Sequence, residues 1–229
     1  MMNKENKERL DNIVLIPELW EDDDGFGFYQ FAYFTDFDDK VYHAKAEDSF
    51  SKSILKNWDD IRKRETPYLK NLAGDLSEEY NNPNPSHDEI KEFMCEHLSN
   101  IFMRKVVDIS FYHKELGSND LWVNYQKKNE HNPSHNHSGL YSFVWYLDIP
   151  EEIRNECYEQ ESNSRSRGLI QFFSSRTDDL MALNPKTNDF FIFNASQIHQ
   201  VYPFYSDNTR VSMAGNIHLI VFEDGEILS

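Results

Sequence analysis

The sequence predicts an α+β domain, with helices from the first half packed on an antiparallel β-barrel or sandwich built mostly by the second half. Three observations lead there. Apolar residues recur at three- and four-residue steps in two segments of the first half. From Leu121 onward, five aromatic and β-branched runs alternate with turns rich in Asn, Pro, Gly and Ser. No internal repeat divides the 229 residues, so residues 1–229 read as one domain, with 1–110 as mixed support and 111–229 as the barrel.

The elements follow in chain order. Asn12 to Pro17 (NIVLIP) is a short apolar run closed by proline, a predicted strand. Phe26 to Phe37 (FGFYQFAYFTDF), behind the acidic turn Glu21 to Gly25, predicts a strand or a bent pair. Phe50, Ile54, Trp58 and Ile61 mark an amphipathic helix with Ser49 as its N-cap. Asn81 to Pro85 breaks the chain. Ser86-x-x-Glu89 then matches a capping box, and Ile90, Phe93, Met94, Leu98, Ile101 and Phe102 form one stripe of a second helix. His87 and His97 ride on it and read as structural or exposed. The predicted barrel strands are Leu121–Gln126, Gly139–Pro150, Gly168–Phe173, Asp189–Asn194 and Arg210–Phe222.

Composition narrows the partners. Forty acidic against 23 basic residues give a net charge of −17, which argues against a nucleic-acid backbone as the main partner. The clusters Arg62 to Arg64 and Ser164 to Arg167 read as solvated surface. Cys95 and Cys157 have no metal-type spacing; Cys95 reads as a small buried apolar residue in the second helix, and no disulfide is expected. The charged start MMNKENKERLDN lacks the apolar core of a signal peptide, and no run approaches a membrane span. The expectation is a cytoplasmic protein that does not enter the membrane.

His135 and His137 sit one residue apart beside an apolar run. On a strand, both imidazoles would point to the same side. Together they supply two ligands of a facial metal site, which needs three. His199, at the end of another strand-like run, is the natural third. His131 is an alternative in the Asn/Pro loop, and a polar loop that merely carries histidine would look the same. His43 and His113 lie in strand-like segments without partners, and His218 reads as a core or edge histidine.

Arg210 opens the last strand, where the barrel would carry it inside. An unpaired buried charge is costly. Its guanidinium offers two parallel donors, and Ser212 shares its face, an arrangement suited to the far carboxylate of a small diacid. A structural Arg–Asp pair is the alternative reading.

From Leu121 to Phe222 the set resembles the 2-oxoglutarate/Fe(II)-dependent oxygenases. N-x-x-H-x-H-S-G before FVWYLDIP is similar to the metal-binding strand of a branch found in bacteria and phages, in which H-x-H replaces the more familiar H-x-D. GLIQFF, LNPKTNDFFIFN and IHQVYPF resemble the following strands, and RVSMAGNI resembles the closing strand with its R-x-S motif. The resemblance implies a double-stranded β-helix, a jelly-roll or cupin-like barrel. It makes His135, His137 and His199 the iron ligands. Arg210 would hold the distal carboxylate of 2-oxoglutarate with Ser212, and Asn124, Tyr125, Tyr146 and Asn216 would line the co-substrate pocket. It further implies Fe(II), 2-oxoglutarate and O2, with hydroxylation of a protein or peptide side chain (such as prolyl) as the first substrate class; a small molecule also fits. Phe143, Trp145, Phe191 and Phe193 would form an apolar wall, with alternate residues facing away. Three neutral ligands leave the metal more positive than two histidines and a carboxylate, which also admits Zn or Ni. Two other readings stand beside this one: a cupin-like three-histidine metalloenzyme without 2-oxoglutarate, and a non-catalytic jelly-roll binding module.

Overall fold

The computed structural model describes residues 19–21, 27–30, 40–68, 74–81, 84–159, 166–174 and 180–229. Its elements are β1 (Leu19–Glu21), β2 (Gly27–Gln30), β3 (Lys40–Lys45), α1 (Asp48–Arg62), β4 (Glu79–Tyr80), α2 (His87–Phe102), β5 (Val106–Ser110), β6 (Tyr112–His113), β7 (Ser118–Asn119) and β8 (Leu121–Gln126). Then come β9 (Asn132–His135), β10 (Tyr141–Asp148), α3 (Glu151–Glu159), β11 (Ile170–Phe173), β12 (Leu180–Leu183), β13 (Asp189–Asn194), β14 (His199–Val201), β15 (Arg210–Ile217), β16 (Leu219–Phe222) and β17 (Ile227–Leu228). The predicted strand at 12–17 lies outside the described residues, as does most of 26–37, of which β2 is described.

Two antiparallel sheets carry the architecture. The larger runs β1-β2-β3-β13-β10-β15-β8-β4, and the smaller β12-β11-β14-β9. A third, β17-β16-β5, continues beyond β15. The last predicted strand therefore divides at His218, between β15 and β16, and its two parts serve different sheets.

Side-chain alternation sorts the large sheet into two faces. On one face Val123, Tyr125, Trp145, Phe190, Ile192, Val211 and Met213 pack against Ile54, Trp58 and Ile61 of α1 and Ile90, Met94, Leu98 and Ile101 of α2. Each fully buried large apolar side chain there stabilises by about 1.5–3 kcal/mol. On the other face Val144, Tyr146, Phe191 and Phe193 meet Ile170, Phe172, Met181 and Leu183 of the small sheet. Two sheets closed over this second core make the double-stranded β-helix, with α1 and α2 outside the large sheet and Ile153 of α3 in the second core.

Several local expectations shift. The first helix starts at Asp48 after Glu47, not from Ser49. At the second, Ser86 occupies the N-cap position but makes no capping bond. Its backbone N–H donates to Asn84 Oδ1 and its hydroxyl accepts from Asn57, so the expected reciprocal box is replaced by an Asx-type turn and a tie to α1. Cys95 is half-buried and Cys157 is the buried cysteine, and neither forms a disulfide among the described residues. Phe143 and Trp145 belong to the helix-side core, and only Phe191 and Phe193 of the expected wall face the barrel interior. The edge of the Phe143 ring still reaches the interior past Gly215, where an added Cβ would lie 2.8 Å from it. Among the described residues no helix is long and apolar enough to cross a membrane.

Candidate metal and co-substrate site

Three histidines meet at one end of the barrel. His135 ends β9 and His199 begins β14, and the pairing of these strands sets the two residues opposite each other. His137 follows two residues later, its backbone N–H bonded to Ala195 O. The ring centroids are 4.3 Å apart for His135–His199, 4.9 Å for His135–His137 and 5.1 Å for His137–His199. One nitrogen from each lies within 4.8 Å of the others.

The hydrogen bonds fix which nitrogens are available. His135 Nδ1 lies 2.6 Å from Pro133 O and His199 Nδ1 lies 3.0 Å from Gln197 O. A carbonyl only accepts, so in both rings Nδ1 carries the proton and Nε2 keeps its lone pair. Burial, reinforced by the neighbouring imidazoles, pushes His137 down to about 2 and His199 down to about 3. Burial also lowers His135. All three are therefore neutral near pH 7, the form that binds metals. The cluster contains no carboxylate.

Arg210 lies in the same cavity of about 480 Å3. It begins β15 opposite Gln126 of β8 and is 2% exposed. Its guanidinium donates to Gly168 O and Gln126 Oε1 and lies between the rings of Tyr146 and Phe204. No carboxylate pairs with it among the described residues, so the alternative of a structural Arg–Asp pair does not apply. Ser212 shares the face and stands opposite Tyr146 and Asn124. The Tyr146 hydroxyl and Asn124 Oδ1 are buried without a hydrogen-bond partner. A buried guanidinium held only by neutral acceptors, beside unsatisfied polar groups, fits an anionic ligand. The histidine cluster fits a borderline divalent cation.

Tyr125 and Asn216 fall differently from their neighbours. Tyr125 lies on the helix face of β8, where its hydroxyl donates to Asp59 at 2.8 Å and Arg62 stacks on its ring. Asn124 and Tyr125 are adjacent on one strand, so only one of them can face the cavity. Tyr125→Phe is expected to cost about 1 kcal/mol of stability, read from chemical denaturation, with 2-oxoglutarate affinity unchanged. Asn216 does line the cavity, but both ends of its amide are engaged: Oδ1 accepts from Ser142 and Nδ2 donates to Asp120.

The other histidines find partners that the sequence did not suggest. His43 lies 3.0 Å from Asp189 and stacks on Phe191. His218 bonds Asp120 at 2.9 Å, and His113 packs edge-on against its ring. His131 bridges to Asp75 outside the three-histidine cluster. Sequence reasoning missed Gln126, Trp122 and Glu79, all of which line the cavity. The period of two along LWVNYQ would have found the first two, since Trp122, Asn124 and Gln126 share a face.

Two sheets closed around a histidine cluster and a buried arginine define a double-stranded β-helix protein with a metal-type centre. Residues 120–216, which contain all four residues, match the family described as "Putative 2OG-Fe(II) oxygenase". This part of the chain is similar to the 2-oxoglutarate/Fe(II)-dependent oxygenases, a family whose members use Fe(II), 2-oxoglutarate and O2. A prolyl-4-hydroxylase from Pseudomonas putida is similar in structure, with a TM-score of 0.52 and 9% identity over 91% of this chain and 96% of that one. The non-haem α-ketoglutarate-dependent carbocyclase SnoK from nogalamycin biosynthesis is similar with a TM-score of 0.55 and 9% identity, over 81% and 82% of the two chains. At such identities the likeness is one of fold. No curated protein matches the chain.

Proposed function

We propose that the protein is a cytoplasmic Fe(II)- and 2-oxoglutarate-dependent dioxygenase that hydroxylates a protein or peptide side chain. The supporting observation is the convergence, in one cavity, of three neutral imidazoles and a buried arginine without a carboxylate partner among the described residues. His135, His137 and His199 hold the metal. Arg210 grips the distal carboxylate of 2-oxoglutarate, with Ser212 and the Tyr146 hydroxyl completing its hydrogen bonds and Asn124 beside them. When bound, the iron supplies the oxidising power that inserts one oxygen atom of O2 into a C–H bond, the other entering succinate as 2-oxoglutarate loses CO2.

The chain's own residues set up that chemistry. The backbone carbonyls of Pro133 and Gln197 orient two imidazoles in the tautomer that presents Nε2. Phe172 and Phe193 flank His199 at ring separations of 5.8 and 4.8 Å and keep water from that side. Trp122 covers His137, with ring centroids 5.6 Å apart.

The test adds Fe(II) and 2-oxoglutarate to the apoprotein without oxygen. A new visible charge-transfer band is expected, followed by succinate release when oxygen and a peptide library are supplied. Metal binding without the band would support a cupin-like enzyme that does not use 2-oxoglutarate. Failure to bind metal would support a non-catalytic barrel.

A further inference from the structure

The cavity that holds Arg210 has a second charged wall. Glu79, in β4 at the edge of the large sheet, pairs with Asn124 and lines the cavity. It is 3% exposed, and no hydrogen bond or ion pair satisfies its carboxyl among the described residues. Burial alone acts on it, pushing its pKa up to about 8. Among the described residues Arg62 and Lys127 are engaged elsewhere, since both pair with Glu78. The other cavity carboxylate, Asp120, is held by His218 and Asn216.

Beside Glu79, Asn124 Oδ1 is also buried without a donor. An unsatisfied amide oxygen beside a buried carboxyl with no partner among the described residues calls for a ligand that brings donors. 2-Oxoglutarate, ionised at both carboxyls near neutral pH, brings none. Arg210 is the only Lys or Arg among the described residues lining the cavity, so the cavity has one cationic end and one acceptor end.

We propose that Glu79 and Asn124 form a subsite for a cationic group of the prime substrate, so that the hydroxylated side chain carries an ammonium or guanidinium, as lysine and arginine do. This substrate class rests on the oxygenase reading above. An ammonium presents three donors and a guanidinium five, whereas a prolyl ring presents none. Positive charge also relieves the cost of a carboxylate buried alone. The net charge of −17 draws such a substrate toward the protein.

The experiment titrates the Fe(II)- and 2-oxoglutarate-loaded protein, without oxygen, with N-acetyl-lysine amide, N-acetyl-arginine amide and N-acetyl-proline amide, following heat. One of the two cationic amides is expected to bind at least about tenfold more tightly than the proline amide. Glu79→Gln, nearly isosteric, is expected to erase that preference and leave 2-oxoglutarate affinity unchanged. Tighter binding of the proline amide, a preference that survives in Glu79→Gln, or no binding of either cationic amide at millimolar concentration would overturn the proposal. If the charge-transfer band never forms, the oxygenase reading fails. The same titration on the metal-free protein then decides the Glu79 subsite separately.

Discussion

His199→Ala is expected to lower Fe(II) affinity by at least roughly a hundredfold, because losing only an outer-shell partner of a metal ligand already costs about 10- to 100-fold. The charge-transfer band formed with 2-oxoglutarate should disappear with it. His199 is the candidate ligand to test first because its β14 position sets it opposite His135 and Gln197 O fixes its tautomer. The metal-free protein supplies a check on folding. A buried imidazole whose folded pKa lies near 3, below the unfolded value of about 6.5, contributes its full stability above pH 6.5. That contribution is lost progressively as pH falls toward the folded value. The wild-type melting temperature should therefore drop more steeply between pH 7 and pH 5 than that of His199→Ala. Equal iron affinity in the two proteins would remove His199 from the centre.

Arg210→Ala is expected to weaken 2-oxoglutarate binding by about 2–5 kcal/mol, at least about 30-fold, as for truncation of one partner in a buried charge pair. Fe(II) affinity should stay within a few-fold of wild type. The variant also leaves Gly168 O and Gln126 Oε1 without their donor, so its stability should fall. Arg210→Lys separates the two effects. It retains positive charge but not the planar fork, and so should fold more normally while still binding 2-oxoglutarate more weakly than wild type. Anaerobic titration followed at the charge-transfer band measures both. Unchanged 2-oxoglutarate affinity in Arg210→Ala would shift the balance to a three-histidine enzyme without this co-substrate.

Part of the site was legible because its signals are local. Period two along RVSMAGNI puts Arg210, Ser212 and Asn216 on one face, and all three line the cavity. The same rule, applied to LWVNYQ, separates Asn124 from Tyr125 and puts only Asn124 on the cavity face. In FVWYL and FFIF every residue is apolar or aromatic on both faces, because the sheet is covered by helices on one side and by the second sheet on the other. No alternation there could tell Trp145, facing α1 and α2, from Tyr146, facing the cavity.

The small sheet was the least legible element and carries two of the three histidines. β9 reads NPSH and β14 reads HQV, too short and too polar to show a strand period. They become strands because backbone groups at the barrel mouth need partners and β11 supplies an edge. The sequence by itself determined the chemical inventory: three candidate metal-binding histidines, an arginine placed to enter a barrel, and the helix stripes that cover the large sheet. Tertiary structure decided the assembly. The His199–His135 pairing, the placement of Arg210 between Gly168 O and Gln126, and the exposure of Glu79 to the cavity all depend on strand neighbours remote in the chain. Pairing between distant strands is set by the closure of the whole barrel, and no local propensity encodes it.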